Sequence, residues 1–236
     1  MMKGRLYLIP SPLGDCPLEE ILPAGVLGKA CSLKCFVVEE LRTVRRYLSA
    51  AGLRGHIDEL EFHELNEHTD DGAVRSYMAL FDKGDVGLIS EAGLPAVADP
   101  GARLVALCHE QGVEVVPLVG PSSLMLALMA SGLNGQSFAF RGYIPAKTEE
   151  RRQALREMEK TSRQLGQSQI MIETPYRNDS LFADMLQVLQ PSTCICVAAD
   201  LTLPTQSIRT TSAAQWKKLQ PAPIGKRPCV FIILAR

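Results

Sequence analysis

Through the first half of the chain, short apolar runs bounded by turn residues alternate with stretches of helical periodicity. That alternation predicts a parallel sheet with crossover helices. Arg5 to Ile9 makes a first strand, stopped by Pro10-Ser11-Pro12 and a turn at Gly14. A broken helical region follows, interrupted at Pro23 and Gly25. Strands are then predicted at Cys35 to Val38 and Leu60 to Leu65, with a helix from Arg42 to Gly52 between them. A helix from Ala73 to Asp82 leads to a strand at Val86 to Ile89, and Leu104 to Glu110 is helical before a strand at Val113 to Val116.

After Val119-Gly120-Pro121-Ser122-Ser123 the pattern changes. LMLALMASGL reads as a helix apolar on more than one face, which requires cover on more than one side. Strands fit Phe138 to Phe140, Gln169 to Glu173, Cys194 to Ala199, Gln206 to Thr210 and Cys229 to Leu234. Helices fit Glu149 to Leu165, Asp179 to Leu189 and Ala213 to Leu219, and the charges of Arg151, Arg152 and Arg156 read as a solvated face. The expectation is an α/β protein of two domains, residues 1–119 and 120–236. The first domain carries a parallel sheet and the second a mixed one.

The stretch GLISEAGLPAVADPG, from Gly87 to Gly101, organises the first half. An apolar strand breaks into small and polar residues, and Asp99-Pro100-Gly101 then starts a helix with Asp99 as its cap. A strand that ends in small residues before a helix presents backbone to a ligand at the carboxyl edge of an open sheet. An ordinary βα loop with turn chemistry has the same signature. No G-x-G-x-x-G dinucleotide fingerprint occurs here.

Composition narrows the class. With 46% hydrophobic residues, 22% charged and a net charge of −1, the 236 residues predict a soluble globular protein and exclude a strongly basic domain. No apolar run is long enough to span a membrane, and the N-terminal apolar piece reads as a strand and not a signal peptide. Seven cysteines, an odd number, point to a reducing cytoplasm. Cys31 and Cys35 lack a CxxC partner, His63 and His68 lack metal-ligand companions in the sequence, and no metal is expected.

Seven segments in order resemble one family: LYLIPSPLG, VVEELRTVRRYL, HELNEH, LISEAGLPAVADPG, VVPLVGPSSLMLALMASGL, FRGYIPAKTEERRQAL and IETPYR. They resemble the tetrapyrrole-methylase superfamily, specifically its ribosomal RNA branch of small-subunit cytidine 2′-O-methyltransferases. The resemblance runs from about residue 5 to 235. It implies S-adenosylmethionine bound in a cleft between two α/β domains, a homodimer, and rRNA or a ribosomal subunit as partner. By match, Pro10, Gly93, Leu94, Pro95, Val97, Ser122 and Ser123 would line the cofactor, with Met171, Ile172, Ala199 and Pro228 from the second domain.

A ribose 2′-hydroxyl is a poor nucleophile, so a base or a well-aimed acceptor helps. The candidates are Glu39, Glu40, Asn66, Glu67 and Glu91, with Arg42 as a phosphate or carboxylate partner. A structural ion pair at the strand end is the competing reading of Glu39, Glu40 and Arg42. Arg42, Arg45, Arg46 and Arg54, with Arg141 and Lys147, are the basic residues an RNA substrate would call on. The chain departs from the family pattern at Glu40 and Glu91, where the family has Asp, at Leu41 and Leu94, where it has Thr, and at Tyr176, where it has His. These changes keep two alternatives open: a tetrapyrrole, corrinoid or other small-molecule substrate, and a cofactor-binding protein without catalysis.

Overall fold

The computed structural model describes residues 3–236. The chain divides into two compact units, Met1–Ser122 and Ser123–Arg236. In the first unit the strands are β1 (Leu6–Leu8), β2 (Cys35–Val38), β3 (Glu61–Glu64), β4 (Val86–Ile89) and β5 (Val115–Pro117). Its helices are α1 (Leu18–Ile21), α2 (Ala24–Ser32), α3 (Leu41–Leu48), α4 (Asp71–Ser76) and α5 (Gly101–Glu110). The sheet order is β3-β2-β4-β1-β5, with every pairing parallel. A parallel sheet needs cover on both faces, which is why CFVV and VGLI are continuously apolar. Period-two alternation sends Tyr7, Phe36 and Val38 to one core with Leu48, and Leu6, Val37 and Leu88 to the other with Leu104.

Two predicted helices are shorter than the periodicity implies. The helix after Glu40 ends at Leu48 and closes through a wide turn, Ser49–Leu53, where Gly52 takes φ 128°. Asp70 caps α4 by accepting from the Ala73 N–H at 3.0 Å, and the helix tightens to a 3₁₀ turn at Tyr77–Asp82.

The second unit holds α6 (Ser123–Ser131), β6 (Phe138–Tyr143), α7 (Thr148–Leu165), β7 (Ser168–Ile172), α8 (Asn178–Val188), β8 (Cys194–Ala199), β9 (Ser207–Ser212), α9 (Ala213–Leu219) and β10 (Cys229–Leu234). Its sheet runs β6-β7-β10-β8-β9, parallel only between β6 and β7. The mixed sheet follows from the short β8–β9 connection, which is a hairpin and can only pair antiparallel. Leu155, Met158, Leu181, Met185 and Phe231 fill its core. Trp216 joins them edge-on to Phe182 and donates its indole N–H to the Ile195 carbonyl at 2.9 Å.

The reading of α7 as a solvated arginine face is corrected. Arg156 is exposed, but Arg151 is 5% exposed and half of a buried ion network. Its Nε donates to Asp184 Oδ2 at 2.6 Å and its Nη1 to the Ala146 carbonyl at 2.9 Å, while Arg152 Nε donates to Asp184 Oδ1 at 2.7 Å. The partner Asp184 lies on α8, out of reach of any argument from helix spacing.

Candidate functional site

Because β1, β2, β3 and β4 are parallel neighbours, the segments that follow them leave the same edge of the first unit's sheet. Pro10, Glu39, Glu40, Asn66, Glu67 and Glu91 all follow directly on these strands. The topology therefore gathers candidates that are scattered from Pro10 to Glu91 in the sequence.

Two loops at this edge are tied together. Ser11 and Gly93 form an antiparallel bridge, Ser11 N–H to Gly93 O at 2.8 Å and Gly93 N–H to Ser11 O at 3.2 Å. The Ser11 hydroxyl adds a bond to the Ser90 carbonyl at 2.9 Å. Gly93 sits at φ +75°, and a Cβ there would lie 3.3 Å from Leu13 Cδ2 and 3.6 Å from the Pro121 carbonyl. Gly120 approaches Pro10 so closely that a Cβ would overlap its ring at 2.2 Å, which fixes Pro10 against the end of β5.

From Leu94 to Asp99 the chain follows an uncommon path. Ala96 and Ala98 take φ +66° and +64°, strained values for residues with a Cβ. Asp99 holds this path in place: Oδ1 accepts from the Ala96 N–H at 3.0 Å and the Gly101 N–H at 2.7 Å. Asp99 is thus the clamp of the loop, and Pro100 occupies the cap position of α5 expected for Asp99. Asp99 Oδ2 is buried without a hydrogen-bond partner among the described residues, and burial pushes the carboxyl up from its ordinary value. Strain, an orphaned polar atom and the exposed Val97 meet in one short loop, the combination a ligand-binding loop shows. Such a loop suits a cofactor gripped by backbone, as S-adenosylmethionine would be.

The acid candidates separate by environment. Glu40 caps α3, its carboxylate accepting from the backbone N–H groups of Arg42 and Thr43, and hydrogen bonds from Thr43 hold it below the usual range. That engagement commits both Glu40 oxygens to the helix cap. Asn66 Oδ1 accepts from the His68 N–H at 3.0 Å and shapes the turn after β3. Glu67 is exposed beside His68, and Glu91 is exposed with its N–H donating to Glu39 Oε2 at 2.9 Å.

Glu39 is the candidate the structure singles out. It is partly buried at the end of β2, and burial, with the carboxylates of Asp99, Glu91 and Glu67 nearby, pushes it up against the opposing Glu91 hydrogen bond. Its other oxygen, Oε1, has no hydrogen-bond partner among the described residues. The sequence marks Glu39 and Glu40 alike; only the cap tells them apart. A raised folded-state value contributes stability below the unfolded value, lost as pH rises through the folded one. Glu39→Gln, which keeps an acceptor for the Glu91 N–H, should therefore stabilise the chain at pH 7 and not at pH 4. Urea titrations at the two pH values check this.

In the second unit, the ends of β7 and β8 and the start of β10 share one sheet edge. Ile172 stands opposite Val230 and Ala199 opposite Cys229, which follows Pro228. The side chains of Met171 and Ala199 point into the core, so these two offer a ligand only backbone. Ile172 is partly exposed and Pro228 exposed, while Ser122 and Ser123, partly exposed, lead into α6.

The basic residues are not equivalent either. Arg45 pairs with Asp58, Arg141 Nε donates to Gln169 at 2.6 Å, and Lys147 pairs with Glu150 at 3.0 Å. Arg42, Arg46 and Arg54 are exposed, without an ion pair among the described residues.

No protein-family model matches the chain. A ribosomal RNA small subunit methyltransferase I of Escherichia coli O157:H7 is 30% identical over 225 residues, 95% of this chain and 71% of that protein. The chain belongs to the ribosomal RNA small subunit methyltransferase I family. The counterparts of Vibrio cholerae serotype O1 and Pseudomonas aeruginosa are each 32% identical, over 89% and 91% of this chain and 69% and 72% of their own lengths. The fold is that of the tetrapyrrole methylases. The structure of the methyltransferase CobJ superposes with TM-score 0.65 at 14% identity, covering 98% of this chain and 94% of that one. Uroporphyrin-III C-methyltransferase from Thermus thermophilus, solved with S-adenyl homocysteine, superposes with TM-score 0.61 at 16% identity, covering 98% and 97%. The family is one of S-adenosylmethionine-dependent methyltransferases. Among the described residues no helix is long and apolar enough to cross a membrane.

Proposed function

We propose that this protein methylates the 2′-hydroxyl of a cytidine in small-subunit rRNA, with S-adenosylmethionine as donor. Membership of the family, at 30% identity over 95% of the chain, is the observation that carries the reading. Bound S-adenosylmethionine supplies a methyl group already activated on a sulfonium sulfur, so the protein's task is to hold nucleophile and methyl in line. The loop from Gly93 to Val97 grips the cofactor by backbone, and Asp99 keeps that loop in its binding shape. Glu39 receives the hydrogen bond of the ribose hydroxyl at Oε1 and takes its proton as the oxygen attacks, while the Glu91 N–H steadies Oε2. A carboxyl raised by burial is the better base for that step. Arg42 and Arg46, exposed on α3, contact phosphate.

The test is methyl transfer from labelled S-adenosylmethionine to small ribosomal subunits from cells lacking the gene, followed by mass spectrometry of the nucleosides. The expected product is 2′-O-methylcytidine. Transfer only to a tetrapyrrole or corrinoid would overturn the substrate, and absence of transfer with cofactor bound would leave a binding protein. Replacing Arg42 and Arg46 together by Ala should weaken RNA binding at fixed salt and reduce the salt slope by about two, with cofactor affinity unchanged.

A further inference from the structure

Parallel pairing of β2 with β3 sets Cys35 opposite Glu61 and Val37 opposite His63. Residues two apart on a strand share a face, so Cys35, Glu61 and His63 lie on one side of the sheet, at its β3 edge. Their ligand atoms, a thiol sulfur, a carboxylate oxygen and an imidazole nitrogen, all fall within 4.8 Å of one another. His63 Nε2 is 2.9 Å from Glu61 Oε1, and the His63 ring lies against Tyr77 with centroids 5.4 Å apart. Cys35 and His63 are partly buried, whereas Glu61 is open to solvent. The sequence hides this set, because Cys35 belongs to one strand and the other two residues to the next.

We propose that Cys35, Glu61 and His63 form a zinc site that cross-links β2 to the edge strand β3. The donor set is the mixture of sulfur, nitrogen and oxygen that this ion takes, and three protein ligands leave a fourth position for water. Ligands at 2.0–2.3 Å around a tetrahedral ion stand about 3.5 Å apart. Closing the set from separations of at most 4.8 Å thus requires movements of about 1 Å. Binding breaks the Cys35 S–H bond and forms S–Zn, the proton passing to buffer. His63 ligates through Nε2, so its ring proton moves to Nδ1 and its hydrogen bond to Glu61 gives way to the shared ion. Lys83 Nζ, 3.7 Å from Glu61 Oε1, competes with the ion for that carboxylate.

The test uses the full chain with Zn²⁺ and with Co²⁺ as its spectroscopic stand-in. One Zn²⁺ per chain should raise the melting temperature, and Co²⁺ should show thiolate charge-transfer absorption. Cys35→Ser should remove that absorption, while Cys31→Ser should retain it. His63→Ala and Glu61→Ala should each weaken Zn²⁺ binding by at least about tenfold, the cost seen for losing even an outer-shell partner. Lys83→Met should tighten it, because it frees Glu61 while all three ligands remain. Circular dichroism separates loss of binding from loss of fold. A Co²⁺ complex without thiolate absorption, or Zn²⁺ affinity unchanged by His63→Ala in a folded chain, overturns the site.

Discussion

Gly93→Val is expected to weaken S-adenosylmethionine binding by about ten- to hundredfold while the chain stays folded. Gly93 takes φ +75°, in the left-handed region where a β-branched residue is strained by about 1–3 kcal/mol. The new side chain would also press on Leu13 Cδ2, 3.3 Å from the first added carbon. The free loop can escape by leaving its bridge to Ser11, an opening confined to the sheet edge. Binding must then restore the strained path, and that cost appears as lost affinity. Gly93→Ala should lie between the two. Calorimetric titration, with urea unfolding of the same samples, separates affinity from stability. Unchanged affinity for the Val variant would remove the loop from the cofactor site.

The second large effect belongs to the second unit. Asp184→Ala should destabilise the protein by about 3–5 kcal/mol, because it leaves Arg151 charged and unpaired in the interior. Both side chains of the Arg151–Asp184 pair are 6% exposed. Burial pushes the Asp184 carboxyl up, but hydrogen bonds from Arg152 and Arg151 outweigh it and hold the group below its ordinary value. A depressed carboxyl contributes stability above the unfolded value and loses it as pH falls through the folded one. The gap between wild type and Asp184→Asn should accordingly shrink in acid. Replacing Arg151 and Asp184 together by Leu and Met should cost far less than the sum of the single changes, since the fully buried charge of Arg151 is then not left unpaired, while Arg152 keeps partial exposure to solvent. Additive effects in urea titrations would contradict the network. Arg151 also holds the Ala146 carbonyl, so Asp184 variants should loosen the GYIPAK turn before they unfold α7.

Much of this was legible in the sequence. The strands Cys35–Val38, Val86–Ile89, Cys194–Ala199 and Cys229–Leu234 are continuous apolar runs between turn residues, a local signal that tertiary context does not alter. The loop from Gly93 to Gly101 announced itself by small residues between a strand and a helix. Helix ends were harder, because capping depends on one side chain: Asp70 begins α4 earlier than its apolar pattern does.

What the sequence determined by itself is the element order, the parallel and mixed character of the two sheets, and the ordered motifs that mark the family. Each rests on periodicity or on residues adjacent in the chain. Only the tertiary structure decided which of two neighbouring glutamates is taken up by a helix cap. Glu40 turns its carboxylate onto the start of α3, while Glu39 reaches across to Glu91, fifty-two residues away. It likewise decided that Arg151 is buried and that Cys35 meets His63. A side chain's charge, exposure and partners depend on groups remote in sequence, and strand pairing and helix packing alone bring those groups within bonding distance.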